Sequence, residues 1–105
     1  MIYEEKKEIV EAILNLAHKN MLSINQKNKL YDIVNTSTRT PIQKDRFIKY
    51  YHLDTNNNNK YNYTILAKEY NRTREAIKQS LHSVVIYTLL KDENIQILKK
   101  MLEEA

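Results

Sequence analysis

The chain of 105 residues contains no glycine and a single proline. Glycine supplies the positive φ angles that the tightest β-hairpin turns require, so a fold built from many tight hairpins is disfavoured. Apolar residues instead recur at helical spacing through most of the sequence. We therefore predict an all-α fold in which a helical hairpin is followed by a helix-turn-helix bundle and a short C-terminal helix.

The first 38 residues indicate two helices. A stripe of apolar side chains predicts a first helix over residues 2–20; its members are Ile2, Ile9, Ile13 and Leu16. Ser23 is a good N-cap for a second helix that runs to about Asn35. We expect residues 1–38 to form a hairpin that serves packing or dimerisation, and residues 39–105 to complete one compact domain.

Two signals divide the middle of the chain. Thr40 followed by Pro41 predicts the start of a helix, because proline is favoured at the first helical position. This helix should run to about His52. Residues 54–60 include four consecutive asparagines and are predicted to form a polar loop.

The segment from Tyr63 to Leu90 reads as a short helix, a tight turn and a longer helix. Asn71 can adopt the left-handed conformation at the turn, and Thr73 is a suitable N-cap for the longer helix. The face predicted to meet the core carries Ile77, Leu81, Val84 and Thr88, and the face predicted to point outward carries Glu75, Gln79 and His82. Beyond Ser83 the helix is apolar nearly all round, so we expect burial on every side. A last helix is predicted from about Asp92 to Glu103.

Positive charge is concentrated in the same part of the chain. Residues 39–78 carry nine Lys and Arg against four Asp and Glu, whereas residues 1–38 carry five of each sign and residues 79–105 carry three against four. A surface that binds the phosphate groups of DNA must be positively charged, and this excess of positive charge coincides with the helix-turn-helix pattern.

The composition argues against several other classes of protein. Without cysteine there is no disulfide framework and no thiolate metal site, and without glycine there is no Gly-rich phosphate loop. The three histidines fall on separate predicted helices, so we expect no catalytic residues, no metal and no cofactor. No apolar run approaches the ~20 residues of a membrane span, and the N-terminal residues are too acidic for a signal peptide. A cytoplasmic protein that is not an enzyme is expected.

Residues 41–90 resemble region 4 of sigma-70 type bacterial sigma factors. The segment Arg46-Phe47-Ile48-Lys49-Tyr50-Tyr51-His52-Leu53 is similar to the leading helix and corner of that family. Leu66-Ala67 takes the place of its Ile-Ala pair, and Thr73-Arg74-Glu75-Ala76-Ile77-Lys78-Gln79 takes that of its recognition-helix start. His52 and Asn71 stand where glycine is usual in the family, and Arg72 stands where a buried valine is usual.

The same residue types suit recognition of double-stranded DNA. Arg74 can donate two hydrogen bonds to guanine, Gln79 can read adenine, and Glu75 can accept from cytosine; the resemblance implies base contacts by the same three residues. Phosphate contacts are predicted for Lys60, Lys68, Arg72, Thr73 and Lys78.

We therefore interpret the chain as a sequence-specific DNA-binding protein that acts in transcription. It could be a sigma-like factor that meets RNA polymerase, or a small regulator that acts alone. Within DNA binding, the alternative is an accessory protein of a plasmid or transposon that marks a transfer origin. If the protein does not bind DNA, the alternative is a helical adaptor whose basic face binds an acidic protein. The N-terminal apolar stripe and the long apolar run after Ser83 both need cover. The hairpin and the last helix of the same chain could supply it, or a second copy could; the length of the run favours a homodimer.

Overall fold

The structure is a computed structural model that describes residues 1–38, 40–54 and 60–104. Within these residues it contains six α-helices, one π-helical segment and no strand, which confirms the all-α prediction. The elements are α1 (Tyr3–His18), α2 (Ile24–Ser37), α3 (Pro41–Tyr50), α4 (Tyr63–Glu69), α5 (Arg74–Val84), the π-helical segment (Val85–Leu89) and α6 (Asp92–Glu103). Most of the predicted polar loop at residues 54–60 lies outside the described residues.

Polar side chains fix the starts of three helices. The Ser23 hydroxyl accepts from the Gln26 backbone N–H at the start of α2, and the Gln26 side chain accepts from the Ser23 N–H at 2.8 Å. Asn62 and Thr73 cap α4 and α5 with single bonds of 2.8 and 3.1 Å. These bonds satisfy N–H groups that a helix cannot pair internally. Thr40 holds the N-cap position of α3 but makes no side-chain cap bond.

Three helix ends are closed by residues with positive φ. Asn20, His52 and Asn71 have φ angles of 56°, 57° and 53°. In each case the next residue donates its N–H to a carbonyl five residues earlier, as Arg72 does to Ala67 at 2.9 Å. This is the pattern in which glycine commonly ends a helix. The prediction that Asn71 takes the left-handed conformation is confirmed, and α3 ends at Tyr50, just before His52.

The buried members of the main hydrophobic core come from every helix except α4, whose Tyr63 packs against the core while only partly buried. Its buried members are Val10, Ile13, Leu14, Ala17, Leu22, Leu30, Ile33, Val34, Phe47, Leu53, Leu81, Val84, Leu89, Ile95, Leu98 and Met101. Helix α1 packs mainly on α6, whereas α2 packs on α3, the π-helical segment and α6. The two N-terminal helices are thus joined through α6 more than through direct contact with each other. Ile2, placed on the predicted stripe, is exposed and precedes α1.

The apolar run after Ser83 was expected to be buried on every side, and this expectation is wrong at Tyr87. Thr88 and Leu89 are buried, Val85 and Ile86 are half-buried, and Tyr87 is 72% exposed. The described elements do not cover Tyr87, although the run around it is apolar. The helix also changes here from α to π geometry, in which each N–H bonds a carbonyl five residues back. The Asn94 amide donates to the Thr88 carbonyl at 2.8 Å and supports this wider turn.

Candidate nucleic-acid interface

Helices α4 and α5 form a compact unit joined by a short turn. A small apolar cluster of Leu66, Ala67 and Ile77 holds them together, and tyrosine rings pack around its edge. Leu66 and Ile77 are completely buried. Asn71 reverses the chain between the helices and Thr73 then starts α5. The unit therefore presents α5 to solvent along the face that points away from α4.

The exposed face of α5 is a continuous polar stripe. It consists of Arg74, Glu75, Lys78, Gln79 and His82. These positions follow the spacing at which side chains share one side of a helix. The residues predicted to face outward are exposed and those predicted to face the core are buried, so both predictions are confirmed. We call these five residues the α5 face.

All three predicted base-contacting residues lie on the α5 face. Arg74 and Gln79 make no side-chain hydrogen bond or ion pair with any described residue, so their polar groups are available to a ligand. Glu75 lies 3.6 Å from Lys78, one turn further along the helix. Spacing of this kind normally gives a weak, solvent-screened pair, which a stronger partner can replace.

The predicted phosphate-contacting residues are distributed around this face. All five are exposed, but only Lys78 belongs to the α5 face. Lys68 lies on α4, Arg72 lies in the turn, and the Thr73 hydroxyl accepts the cap bond from Ala76. Lys60 precedes α4.

Lys60 lies on the side of the molecule where α3 ends. Burial, and then the positive charges of His18, Lys27 and Lys60, lower the pKa of His52. Lys60 is therefore within electrostatic range of His52 at the end of α3.

A buried polar contact behind α5 escaped the sequence analysis. The Arg46 guanidinium of α3 donates to the Ser80 hydroxyl at 2.6 Å, and Ser80 donates to the Ala76 carbonyl at 3.1 Å. The guanidinium also lies 4.7 Å from the centre of the Tyr70 ring. Burial, and then the charge of Arg72, lower the pKa of Arg46. The only signal in the sequence was Ser80, which lies on the core side of α5 between Ile77 and Leu81.

Lys49 connects α3 to the end of α4. Its ammonium lies 3.1 Å from Asp45 and 2.7 Å from Glu69, and it donates to the Tyr70 hydroxyl at 3.2 Å. Tyr70 in turn donates to Asp45. Burial lowers the pKa of Lys49, but the hydrogen bonds and charges of Glu69 and Asp45 outweigh it, and the pKa is raised. Lys49 therefore stays charged and occupies both nearby carboxylates.

A column of rings supports the α5 face from below. The Lys78 ammonium lies 5.3 Å from the centre of the Tyr63 ring, Tyr63 stacks on Tyr50 at 4.9 Å, and Tyr50 stacks on His18 at 5.1 Å. Burial raises the pKa of Tyr50, and burial also raises the pKa of Tyr51 to about 12. Both hydroxyls therefore remain neutral at physiological pH. The column links the end of α1 to Lys78.

Two further features of the described part of the chain concern metal ligands and membrane helices. Its His, Asp and Glu side chains do not gather in groups of three or more that could hold a metal ion. Nor does any helix over residues 1–38, 40–54 and 60–104 have the length and apolar character needed to cross a membrane. No protein-family model, curated protein or solved structure matches the chain.

Proposed function

We propose that the protein binds double-stranded DNA by placing the α5 face in the major groove, as a sigma region 4-like helix-turn-helix would. The role that fits best is control of transcription, either as a sigma-like factor that meets RNA polymerase or as a regulator that acts alone. The observation that carries the proposal is the α5 face itself. A cytoplasmic location belongs to the same proposal.

The chemistry of the α5 face supports reading of base edges. Arg74 and Gln79 have unused donors and acceptors within the described residues, and they are separated by somewhat more than one helical turn. Arginine can bond guanine O6 and N7, and glutamine can bond adenine N6 and N7. Because the N-terminal residues of a recognition helix usually reach the bases, Arg74 at the first position of α5 is well placed.

The charge around the α5 face supports contact with the backbone. Lys68, Arg72 and Lys78 are exposed on α4, on the turn and on α5, so cations border the stripe on more than one element. Phosphate contacts set the register of a protein on DNA without reading its sequence. Binding in the major groove requires this arrangement, in which cationic side chains for the phosphates surround side chains that can contact bases.

Titration of duplex DNA across a salt series tests the proposal. With about 4–6 phosphate contacts, the plot of log affinity against log salt concentration should have a slope of about −4 to −5. Arg74→Ala and Gln79→Ala should each cost about 1–3 kcal/mol on the preferred site and relax discrimination at one base pair. Lys78→Ala should weaken binding to all duplexes alike and flatten the salt-dependence slope by about one.

A random duplex pool supplies the preferred site for these measurements. A single site of promoter type would favour the sigma-like role, whereas a repeated site would favour a dimeric regulator or a plasmid accessory protein. A slope near zero, or equal loss of specific and non-specific binding in Arg74→Ala, would contradict the proposal. The first of these results would favour the helical adaptor.

A further inference from the structure

Arg46 is a buried cation without an anionic partner among the described residues. Its side chain is only 8% exposed, and its Nε is buried and makes no hydrogen bond. It takes part in none of the ion pairs between described residues. Its contacts are the neutral hydroxyl of Ser80 and the ring of Tyr70. A guanidinium in such a place normally has a carboxylate or a phosphate beside it.

The carboxylates near Arg46 are already engaged. Asp45 accepts from Tyr70 and lies 3.1 Å from Lys49, and Glu69 lies 2.7 Å from the same ammonium. After burial, the charge that lowers the pKa of Arg46 is that of Arg72, which is also positive. Removal of a charge from water is unfavourable unless an opposite charge compensates it. In the free protein, Arg46 therefore has the positive charge of Arg72 within electrostatic range, and it forms no ion pair with a described carboxylate.

We propose that Arg46 and Arg72 together bind one phosphate group of the DNA backbone at the turn between α4 and α5. This inference rests on the proposed function. A phosphate between the two guanidinium groups would replace their repulsion with two attractions. The turn immediately precedes the N-terminus of α5, where backbone N–H groups and the helix dipole also favour an anion.

The burial of Arg46 decides what kind of contact it can make. Packed between Ser80 and the Tyr70 ring, its side chain cannot extend into a groove to reach a base edge. A backbone phosphate at the protein surface could reach only the small exposed part of Arg46. The contact would therefore position the protein without reading sequence. It would also have a rigid geometry, because Ser80 fixes the guanidinium to α5 itself.

The test compares Arg46→Met, Arg72→Met and the double variant, with Lys99→Met on α6 as a control for loss of one exposed positive charge. Each Arg variant should flatten the salt slope of duplex binding by about one. The double variant should flatten it no further, since both side chains hold the same phosphate. Lys99→Met should leave the slope unchanged. Arg46→Met should also keep or raise the melting temperature of the free protein, because an uncompensated buried charge is removed.

A second measurement separates this inference from the proposed function. Inorganic phosphate, added at constant ionic strength in place of chloride, should raise the melting temperature of the wild type but not that of Arg46→Met. If the wild type fails to bind duplex DNA but keeps this phosphate effect, the DNA function is wrong and the anion site stands. An unchanged salt slope with a lowered melting temperature in Arg46→Met would overturn the inference, because Arg46 would then be a structural tether. Absence of the phosphate effect in the wild type would overturn it as well.

Discussion

His52 holds a backbone conformation that glycine adopts more easily. Its φ angle is 57°, and the following Leu53 donates its N–H to the Ile48 carbonyl at 3.0 Å. A side chain with a Cβ atom costs about 1–2 kcal/mol in this region. Asparagine, which holds the same conformation at Asn20 and Asn71, tolerates it better. The end of α3 is therefore the point at which the absence of glycine costs most stability.

We predict that His52→Gly is more stable than His52→Ala by about 1 kcal/mol. Both substitutions remove the same imidazole, so the difference measures the backbone alone. Glycine avoids the Cβ clash, and its greater freedom in the unfolded chain offsets only part of the gain. Thermal or urea unfolding of the two variants gives the difference. Ala12→Gly, at an exposed site inside α1, is the control and should lose about 1 kcal/mol. Equal stability at position 52 would contradict the assigned conformation.

At the scale of an element, the N-caps differ in what they contribute. Ser23 and Thr73 accept bonds from backbone N–H groups of α2 and α5, whereas Thr40 occupies the equivalent position of α3 without such a bond. Pro41 follows Thr40 and has no N–H of its own, so α3 starts with fewer donors to satisfy.

Alanine at the three cap positions should separate these cases. Ser23→Ala and Thr73→Ala should each cost about 1 kcal/mol of unfolding free energy, because each leaves an N–H group unpaired. Thr40→Ala should cost much less. Chemical denaturation with circular dichroism at 222 nm, the usual helix signal, measures all three under the same conditions. An equal loss at Thr40 would show that its hydroxyl does cap α3 in solution.

Much of the helical pattern could be predicted because it depends on local sequence. Ser23, Thr73 and Asn71 reveal helix ends through chemistry within a few residues of each position. The residues on the outward face of α5 could be predicted from the 3.6-residue spacing of its apolar residues alone. Arg46 could not be predicted in this way, because its burial depends on Tyr70, which follows the end of α4, and on Ser80 of α5. Tyr87 was mispredicted because an apolar sequence does not show whether another element covers each side of a helix, and the described elements leave Tyr87 72% exposed.

At the scale of the whole molecule, the homodimer stays a prediction. Tyr87 is 72% exposed, and Ile86 beside it is half-buried. Large exposed apolar patches on small domains often mark interaction sites. A symmetric pair would also space two recognition helices about one turn of DNA apart.

Sedimentation at micromolar concentration should give twice the monomer mass. Tyr87→Glu should reduce the mass to that of the monomer without loss of helicity, because Tyr87 is 72% exposed within one chain. Tyr3→Glu, at another exposed aromatic residue, should not dissociate the dimer. A monomeric wild type would contradict the prediction, particularly if Ile86→Glu also kept its helicity.

The packing of α1 on α6 has a consequence for the order of folding. Lys6 bonds to Asp92 across 86 residues of chain, and the buried face of α1 lies against α6. Contacts between residues so distant in sequence form slowly, because a long loop must close first. The unit of α4 and α5, by contrast, is held by neighbouring residues and can assemble early. During synthesis, the apolar side of α1 stays exposed until α6 has left the ribosome and can pack against it. Chaperones that bind exposed apolar helices should therefore bind this chain at its first helix.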